Sequence, residues 1–322
     1  MSFFSKVKGF TEGFREMAAV TSASYTLSEF LSMHGFYKDM SDEEYLKMLY
    51  RKFNKGKREL NLENPTRFTD KLQWLKLYDR REFYHTLADK VEVKKYVADR
   101  IGQSHVIPTL GVYDTFDEID FDALPDRFVL KCTHDSGGIR FCRDKSTFDR
   151  AEAREYLTSR LSKDPYPQAR EFAYKGIRPR LICEPLIDEL GKRDSVEYKI
   201  TCFDGKAKMI TVCEGIAHDS LKARTNDFYD RDWNFLPFYT AYYLNSGHEN
   251  LPPKELPAML EICDKLAEGI PEVRVDLYLI DGQVLFGEMT FYTWGGFINF
   301  VPDEWDETLG SWFTLPPKNL GH

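Results

Sequence analysis

The sequence predicts an α+β protein with mainly antiparallel sheets, because its first hundred residues carry helical patterns and most of the remainder carries strand patterns joined by short turns. Helical patterns also lie between strands, at 146–162 and 253–269, and no internal repeat is found. The segments with strand-like composition are 106–116, 127–132, 178–187, 195–205, 206–215, 273–280 and 283–291.

The helical region contains recognisable helix ends. Ser41 precedes three acidic residues, which is the pattern of an N-cap and a first helical turn. A second helix is expected to be capped by Thr66 or Thr69, and a third is expected over 87–102, where Gly102 supplies the C-terminal stop. The sequence therefore predicts at least three helices before the first strand.

The first residues form a separate feature. Apolar side chains recur at helical spacing in 3–17, with basic residues between them. We expect this segment to pack on the body of the protein or on a second subunit. A weak anchor at a membrane surface is the alternative.

Composition excludes several classes of protein. The chain has 322 residues, 42% of them apolar and 30% charged, and a net charge of −8 without a basic block, which argues against a nucleic-acid partner. No apolar run approaches the roughly 20 residues of a membrane span, and the start resembles no secretory signal. The six cysteines are scattered and form no CxxC pair, so we expect buried thiols in a reducing cytoplasm.

A β-hairpin is predicted by the stretch RVDLYLIDGQVLFGEMT, which also carries charged residues that a hairpin does not need. Because strand side chains alternate between faces, Arg274 and Asp276 share the face opposite the apolar one. Glu288 and Thr290 share a face of the second strand. A strict two-residue turn puts Asp276 and Glu288 on opposite sides of the sheet. A register shift of one residue, through a longer loop or a bulge, puts them directly opposite each other.

Two carboxylates directly opposite each other repel, so such a pair is tolerated when a cation lies between them. Mg²⁺ prefers carboxylate oxygens together with phosphate oxygens, and an adjacent arginine such as Arg274 would hold the same phosphate. The alternative is a solvated face on which acid and arginine merely pair.

Two further segments have the chemistry of a nucleotide site. An apolar strand ends in Lys131 and continues into a small polar loop with Gly137 and Gly138, whose backbone N–H groups can approach phosphates. The loop lacks the Walker A order, and an ordinary hairpin turn is the alternative. Later, a strand with Glu184 leads through a polar loop to a strand with Glu197. Backbone groups there suit an adenine edge, and an acid there suits ribose hydroxyls.

Together these segments occur in the order expected of an ATP-grasp enzyme: a D-K-x-x-x-K helix, a lysine strand with a glycine loop, an acid-bearing hinge strand and an R-x-D…E hairpin. The corresponding residues are Asp89, Lys90, Lys94, Lys131–Gly138, Cys183–Ile187, Arg274, Asp276 and Glu288. With the surrounding segments NPTRFTDKLQWLKLYD, FVLKCTHDSGG, EYKITCFDGKAKMI and FYDRDWNFLPF, the chain resembles the TupA-like (teichuronopeptide-biosynthesis) ATP-grasp family over roughly residues 60–290.

The resemblance implies an ATP-grasp fold, with two α+β subdomains that hold ATP between antiparallel sheets. It implies a helical N-terminal region over 1–88, an N-terminal or lid subdomain over 89–180, and a C-terminal subdomain with the metal hairpin over 181–322. It also implies carboxylate–amine ligation with ATP and Mg²⁺, in which a carboxylate is phosphorylated to an acyl phosphate and then attacked by an amine.

The resemblance also assigns roles to residues, and the choice between Lys90 and Lys94 stays open. The expected ATP contacts are Lys90, Lys94, Lys131, His134, Ser136, Gly137, Gly138, Glu184, Pro185, Leu186, Ile187 and Glu197. Arg274 and Lys131 are expected to act on the transferred phosphoryl group, while Asp276 and Glu288 hold the metal. Thr290 stands where many ATP-grasp enzymes have Asn, so a second metal is in doubt.

The implied substrate is a cell-surface polysaccharide, or its sugar precursor, whose uronic acid is joined to an amino acid or amino sugar. Candidate side chains for an anionic sugar are Arg67, Arg178, Arg180, Arg224, Tyr174, Trp233 and Trp294, each with an ordinary surface or core role as the alternative. Other functions stay open. A glycosyltransferase would use the D-x-D motifs at 120–122 or 230–232, a sugar kinase would use the same ATP site, and a scaffold would use neither.

Overall fold

The computed structural model describes residues 23–187, 196–215 and 224–321. The amphipathic segment 3–17 lies outside these ranges. The helices are α1 Ala23–Met33, α2 Asp42–Phe53, α3 Phe68–Tyr78, α4 Phe83–Ala88, α5 Glu92–Ile101, α6 Arg150–Leu161, α7 Tyr166–Ala169, α8 Leu256–Leu266 and α9 Glu304–Gly310. The strands are β1 Gly111–Tyr113, β2 Phe128–Cys132, β3 Ile139–Cys142, β4 Leu181–Pro185, β5 Glu197–Phe203, β6 Lys206–Glu214, β7 Thr225–Asp230, β8 Tyr239–Thr240, β9 Glu272–Ile280, β10 Gln283–Thr290 and β11 Phe300–Val301.

The larger sheet has the order β10-β9-β5-β6-β7, and each neighbouring pair is antiparallel. One face packs on α8, because apolar side chains such as Ile200, Val275 and Leu277 alternate with polar ones along the strands and are fully buried. The polar face, which includes Lys199 and Asp276, points toward a cleft.

The smaller sheet has the order β1-β4-β2-β3 and is also antiparallel. Its own core is formed with α6 and the segment around Phe116–Leu124. The domain boundary expected at residue 181 assigns β4 to the C-terminal subdomain, whereas β4 is hydrogen-bonded between β1 and β2 of this smaller sheet. The backbone pairing therefore favours a boundary after Pro185.

The helix caps match the sequence pattern in part. Ser41 caps α2, as predicted, and a capping box with Glu44 is also formed. The expectation that Thr66 or Thr69 caps α3 is wrong, because the helix begins after Arg67, which makes no side-chain cap. The Thr69 hydroxyl instead donates to Asp306 of α9 at 2.8 Å, a partner far along the chain.

The helix expected over 87–102 is broken in two. It is interrupted at Asp89, whose Oδ1 accepts hydrogen bonds from the backbone N–H groups of Val91 and Glu92 and so starts α5. Lys90 therefore lies in the turn before α5, and Gly102 ends that helix with a φ of 99°.

All six cysteines are buried and unpaired, as expected. Among the described residues, no helix is both long enough and apolar enough to cross a membrane.

Candidate active site

The hairpin of β9 and β10 combines both turn geometries considered from the sequence. Asp281 and Gly282 have φ angles of 49° and 78°, so a two-residue turn pairs Ile280 with Gln283. The register then shifts by one residue between Phe286 and Glu288. A β-bulge, and not a longer loop, thereby changes the facing of the second half of β10.

The consequence of the bulge is that Glu288 lies directly opposite Asp276, and Thr290 opposite Arg274. The extra residue is Gly287. A Cβ at this position would lie 3.1 Å from the Asp276 carbonyl oxygen and 3.1 Å from the Tyr278 ring, so glycine lets the strands keep this approach.

Asp276 is buried and fully matched by cations. Its Oδ1 accepts from Arg274 Nε at 2.6 Å, and its Oδ2 accepts from Arg274 Nη2 at 2.8 Å and from Lys199 Nζ at 2.6 Å. Burial alone would raise the pKa of Asp276, but Arg274 and Lys199 outweigh it and hold the pKa below its ordinary value. The same pairing raises the pKa of Lys199 against the effect of burial.

Lys199 was not among the residues assigned to the site from the sequence. It pairs with Asp276 across β5 and β9 and also contacts Glu197 at 3.0 Å. The sequence does contain evidence for this position, because Lys199 lies two residues after Glu197 and strand side chains two residues apart share a face.

Glu288 is the more open carboxylate of the pair. Its side chain is 37% exposed, against 4% for Asp276. Its Oε1 accepts from Arg274 Nη2 at 3.3 Å and from the Thr290 hydroxyl at 3.1 Å, while its Oε2 lies 3.8 Å from Lys90 Nζ. One oxygen therefore faces the cleft with only a distant lysine.

A second charged cluster lies across the cleft on the smaller sheet. Glu184 accepts from Lys131 Nζ at 2.7 Å and contacts Lys94 Nζ at 2.5 Å. Burial would raise the pKa of Glu184, but the two lysines outweigh it and lower the pKa. Lys94 also donates to the Ile107 carbonyl at 2.8 Å. Lys94 is thus held on the smaller sheet, whereas Lys90 faces Glu288 on the larger one.

The glycine loop between β2 and β3 is tightly packed. A Cβ on Gly138 would lie 2.5 Å from Cys132 Sγ, and a Cβ on Gly137 would lie 2.8 Å from Arg160 Nη2. Arg160 forms a bidentate pair with Asp135, whose carbonyl accepts from Lys90 Nζ at 3.1 Å. The loop is therefore anchored to α6 by its own charges, and the glycines make room for that contact.

His134 lies in this loop and is buried. The residue is 3% exposed, and Nε2 lies 3.0 Å from the Lys163 carbonyl. Its Nδ1 is buried without a hydrogen-bond partner in the described part of the chain. Burial lowers the pKa of His134, so the ring is neutral at pH 7.

Two connected cavities lie between the sheets. The smaller measures about 250 Å³ and is lined by residues of both sheets and of the segment that leads into α5. The larger measures about 620 Å³ and extends to α1 and the turn at 293–296. The residues that line both are Lys90, Ser136, Glu197, Lys199 and Glu288.

Most of the expected site residues meet at these cavities. Lys90, Lys94, Lys131, Ser136, Glu184, Glu197, Asp276 and Glu288 line the smaller one. His134, Arg274 and Thr290 line the larger one. Pro185, Leu186 and Ile187 are half-buried and line neither, so a role of their backbone in adenine binding stays a prediction.

The four candidate arginines have different environments. Arg67 pairs with acids of α9, Arg178 with Asp114, and Arg180 with Asp89. Arg224 lines the larger cavity, its Nε is buried without a partner, and it forms no hydrogen bond or ion pair with residues in the described ranges.

The aromatic candidates and the D-x-D motifs also differ in their environments. Tyr174 and Trp294 line the larger cavity, whereas the indole N–H of Trp233 donates to the Asn250 carbonyl away from it. In the D-x-D motifs, Asp120 and Asp230 accept hydrogen bonds from backbone N–H groups two residues on, as turn residues do. Local turn geometry accounts for both motifs.

The donor set at the hairpin fits a magnesium ion that is shared with phosphates. Such ions are bound through one or two carboxylates, with phosphate and water oxygens completing the octahedron. Glu288 would supply its Oε2, which faces the cleft, and Asp276 would supply an oxygen by exchanging part of its pairing with Arg274 and Lys199 for the metal. The described residues contain no cluster of three or more His, Cys, Asp or Glu suited to hold a metal alone. A metal held jointly with a nucleotide is therefore the arrangement that these residues suit.

Comparison with known proteins adds a family. The model of the TupA-like ATP-grasp family matches residues 70–314. None of the curated proteins matches significantly. Similar solved structures include the D-cycloserine synthetase DcsG, with 17% identity and a TM-score of 0.36 over 64% of this chain and 62% of that one.

Two D-alanine–D-alanine ligases are also similar. The enzyme from Bacillus anthracis, complexed with ATP, has 16% identity and a TM-score of 0.36 over 64% of this chain and 55% of that one. The enzyme from Helicobacter pylori has 12% identity and a TM-score of 0.37 over 72% and 60%. The chain thus spans about three fifths of the length of these structures. On the family match, which covers most of its length, the chain belongs to the TupA-like ATP-grasp family and has the ATP-grasp fold.

Proposed function

We propose that the protein is an ATP-dependent carboxylate–amine ligase that forms an amide on a cell-surface polysaccharide or its sugar precursor. The observation that carries this proposal is the cleft itself. The opposed carboxylates of Asp276 and Glu288 face the lysines of the smaller sheet across a cavity of about 250 Å³. Phosphoryl transfer requires mainly positioning and neutralisation of charge, which such a cleft supplies.

In the proposed reaction, Lys131 and Lys90 hold the phosphates of ATP from the smaller sheet and from the turn before α5. Mg²⁺ on Asp276 and Glu288 would neutralise the charge that develops on the phosphate oxygens. Arg274 is oriented by Asp276 and Thr290, and its Nη1 makes no hydrogen bond with the described residues. That nitrogen is available to the transferred phosphoryl group.

The proposed reaction has two steps. A carboxylate oxygen of the acceptor attacks the γ-phosphorus, the bond to the β-phosphate oxygen breaks, and ADP leaves. The amine nitrogen then attacks the acyl carbon, the carbon–oxygen bond to phosphate breaks, and the amine loses a proton. The products are an amide, ADP and inorganic phosphate.

Arg224 is the group that we assign to the acceptor. It is the candidate arginine that lines the larger cavity without an ion pair to the described residues, and a guanidinium binds a carboxylate in a bidentate manner. A uronic acid suits this position. We place the reaction in the cytoplasm, where ATP is supplied, with contact to a membrane or a second copy through 3–17 as a further expectation.

The test is ADP release from Mg·ATP with glucuronic or galacturonic acid and a panel of amines. We expect release to require both the acid and an amine. With ¹⁸O in the carboxylate, one labelled oxygen should appear in the inorganic phosphate, because the acyl phosphate transfers it. Release with the sugar alone and no label in phosphate would establish the kinase alternative instead.

A further inference from the structure

The larger cavity contains a second group of charges that the proposed phosphoryl transfer does not use. Glu29 of α1 and Glu171, which follows α7, both line it, and Lys76 of α3 lies buried behind them. Lys76 Nζ donates to the backbone carbonyls of Ala169 at 3.0 Å and Gly295 at 2.6 Å. We call these three side chains the acidic end of the cavity.

The acidic end has more carboxylates than cations. Glu29 accepts from the Tyr25 hydroxyl at 3.0 Å and from the Gln168 amide at 3.2 Å. The Glu171 side chain is half-buried, lines the cavity and makes no side-chain hydrogen bond with any described residue. One ammonium group therefore lies near two carboxylates, of which Glu29 is buried and Glu171 is half-buried.

The low-dielectric surroundings raise the pKa of both acids. Burial raises the pKa of Glu29 to about 7, and it raises the pKa of Glu171 as well, with Lys76 opposing the shift. A buried carboxylate with no partner is costly unless it is protonated or paired. A ligand with a positive charge would supply the missing partner.

The surrounding walls are aromatic. Tyr242 and Trp294 lie at this end with ring centroids 4.9 Å apart and planes 7° apart, and Tyr25 lies beside Glu29. Trp294 has a φ of 60°, so its backbone is held in the left-handed region by the turn that supplies the Gly295 carbonyl to Lys76. Aromatic rings with adjacent carboxylates form a common environment for ammonium groups.

Tyr174 lies between the acidic end and the residues proposed for phosphoryl transfer, such as Glu288. Its hydroxyl accepts from the Phe291 N–H at 3.3 Å. Its pKa is raised by burial and then by Glu171 and Glu288, so the phenol lies within electrostatic reach of both carboxylates. A small molecule held at Glu171 is therefore a neighbour of the group at Glu288.

We propose that the acidic end, formed by Glu29 and Glu171, binds the protonated amino group of the second substrate. This inference rests on the proposed function and deepens it, because it assigns the two reactants to different walls of one cavity. The carboxylate-bearing acceptor lies toward Arg224, and the amine lies toward α1.

The test is isothermal titration calorimetry of the full chain with glucosamine and L-alaninamide, each compared with its N-acetyl form. The acetyl forms keep the skeleton and lose the charge. We expect at least one cationic probe to bind at least tenfold more tightly than its acetylated form. Glu171→Gln should remove that preference, and Glu29→Gln should reduce it. Glu268→Gln, at an exposed acid paired with Arg100, is the matched control and should change nothing.

Mg·ATP binding to the same variants is the test of fold and of the nucleotide end. If Glu171→Gln does not fold, Glu29→Gln carries the experiment. Equal binding of charged and acetylated probes to the wild type, or a preference that survives both substitutions, would overturn the proposal. Failure of the wild type to bind Mg·ATP would instead count against the proposed function, whatever the amine probes do.

Discussion

The smaller cavity, which we call the nucleotide end, and the acidic end of the larger cavity contain carboxylates in opposite electrostatic states. At the nucleotide end, Asp276 and Glu184 are each matched by two cationic side chains, and their pKa values are lowered. At the acidic end, Glu29 and Glu171 share Lys76, and their pKa values are raised. Glu29 is about as buried as Asp276 and Glu184, so for these three carboxylates the number of neighbouring cations makes the difference; Glu171 is half-buried.

The difference indicates which ligand charge each end suits. Four lysines and four carboxylates line the smaller cavity, so its positive groups are already oriented by fixed anions before phosphates arrive. The acidic end lacks such a match among the described residues, and a cationic ligand would complete it.

The largest effect is expected for Glu288→Gln. Turnover should fall by at least about 100-fold, because a carboxylate ligand of the Mg²⁺ that would neutralise the transferred phosphate is lost. The melting temperature should change little, since this side chain is 37% exposed. Steady-state ADP release and circular dichroism measure the two effects. Full activity would remove Glu288 from the metal site.

Lys199→Met should remove one of the two cationic side chains that pair with Asp276 at the nucleotide end. A hydrogen bond to a charged group contributes about 1.5–3 kcal/mol, and a loss of this size is expected because Asp276 keeps its bidentate pair with Arg274. Urea unfolding measures the loss. Lys206→Met is the control, because Lys206 pairs with Asp264 at the surface with its side chain 65% exposed, and such pairs contribute about 0–1 kcal/mol. Equal effects of the two substitutions would contradict the matched burial of Asp276.

Glu29 predicts a pH dependence of stability. Its folded pKa of about 7 exceeds the ordinary value of 4.5, so the folded state binds more protons between these values. The free energy of unfolding should therefore fall as pH rises from 4.5 to 7. Glu29→Gln should remove this decline, which is about 3.5 kcal/mol for a shift from 4.5 to about 7 at about 1.4 kcal/mol for each pKa unit. Unfolding at pH 5 and pH 8 measures it, and identical slopes for the two proteins would contradict the raised pKa.

Gly287→Ala should have the smallest effect on stability, about 1–2 kcal/mol from crowding against Asp276 and Tyr278. Because the bulge sets the facing of Glu288, ADP release should fall more than stability does. Gly282→Ala, at the turn of the same hairpin, is the comparison: its φ of 78° makes it strained, but it leaves the bulge in place. Equal loss of activity in both would argue that the bulge has no special role.

The local sequence pattern was sufficient to predict most residues of the nucleotide end. Alternation along β9 and β10 put Arg274 and Asp276 on one face, and the bulge needed to oppose Glu288 was among the expected registers. Lys199 was missed although it has the same parity as Glu197. The Asp89 break in the helix over 87–102 was missed too, because a short side-chain cap competes with a continuous helical pattern there.

The acidic end could not be found in this way. Glu29 and Glu171 are far apart in the sequence, and their meeting depends on how α1, α3 and the segment after α7 pack together. The same reason explains Thr69, which was expected to cap a helix and bonds to Asp306 instead. Contacts between distant helices depend on tertiary packing, which no local pattern encodes.

The nucleotide end is expected to bind Mg·ATP. The most direct measurement is the melting temperature with Mg·ATP and with UDP-sugars, for the wild type and for Asp276→Asn. Ligand that binds the native state raises apparent stability by mass action. We expect Mg·ATP to raise the melting temperature of the wild type and Asp276→Asn to abolish this rise. A rise with UDP-sugars alone would contradict it and support a glycosyltransferase.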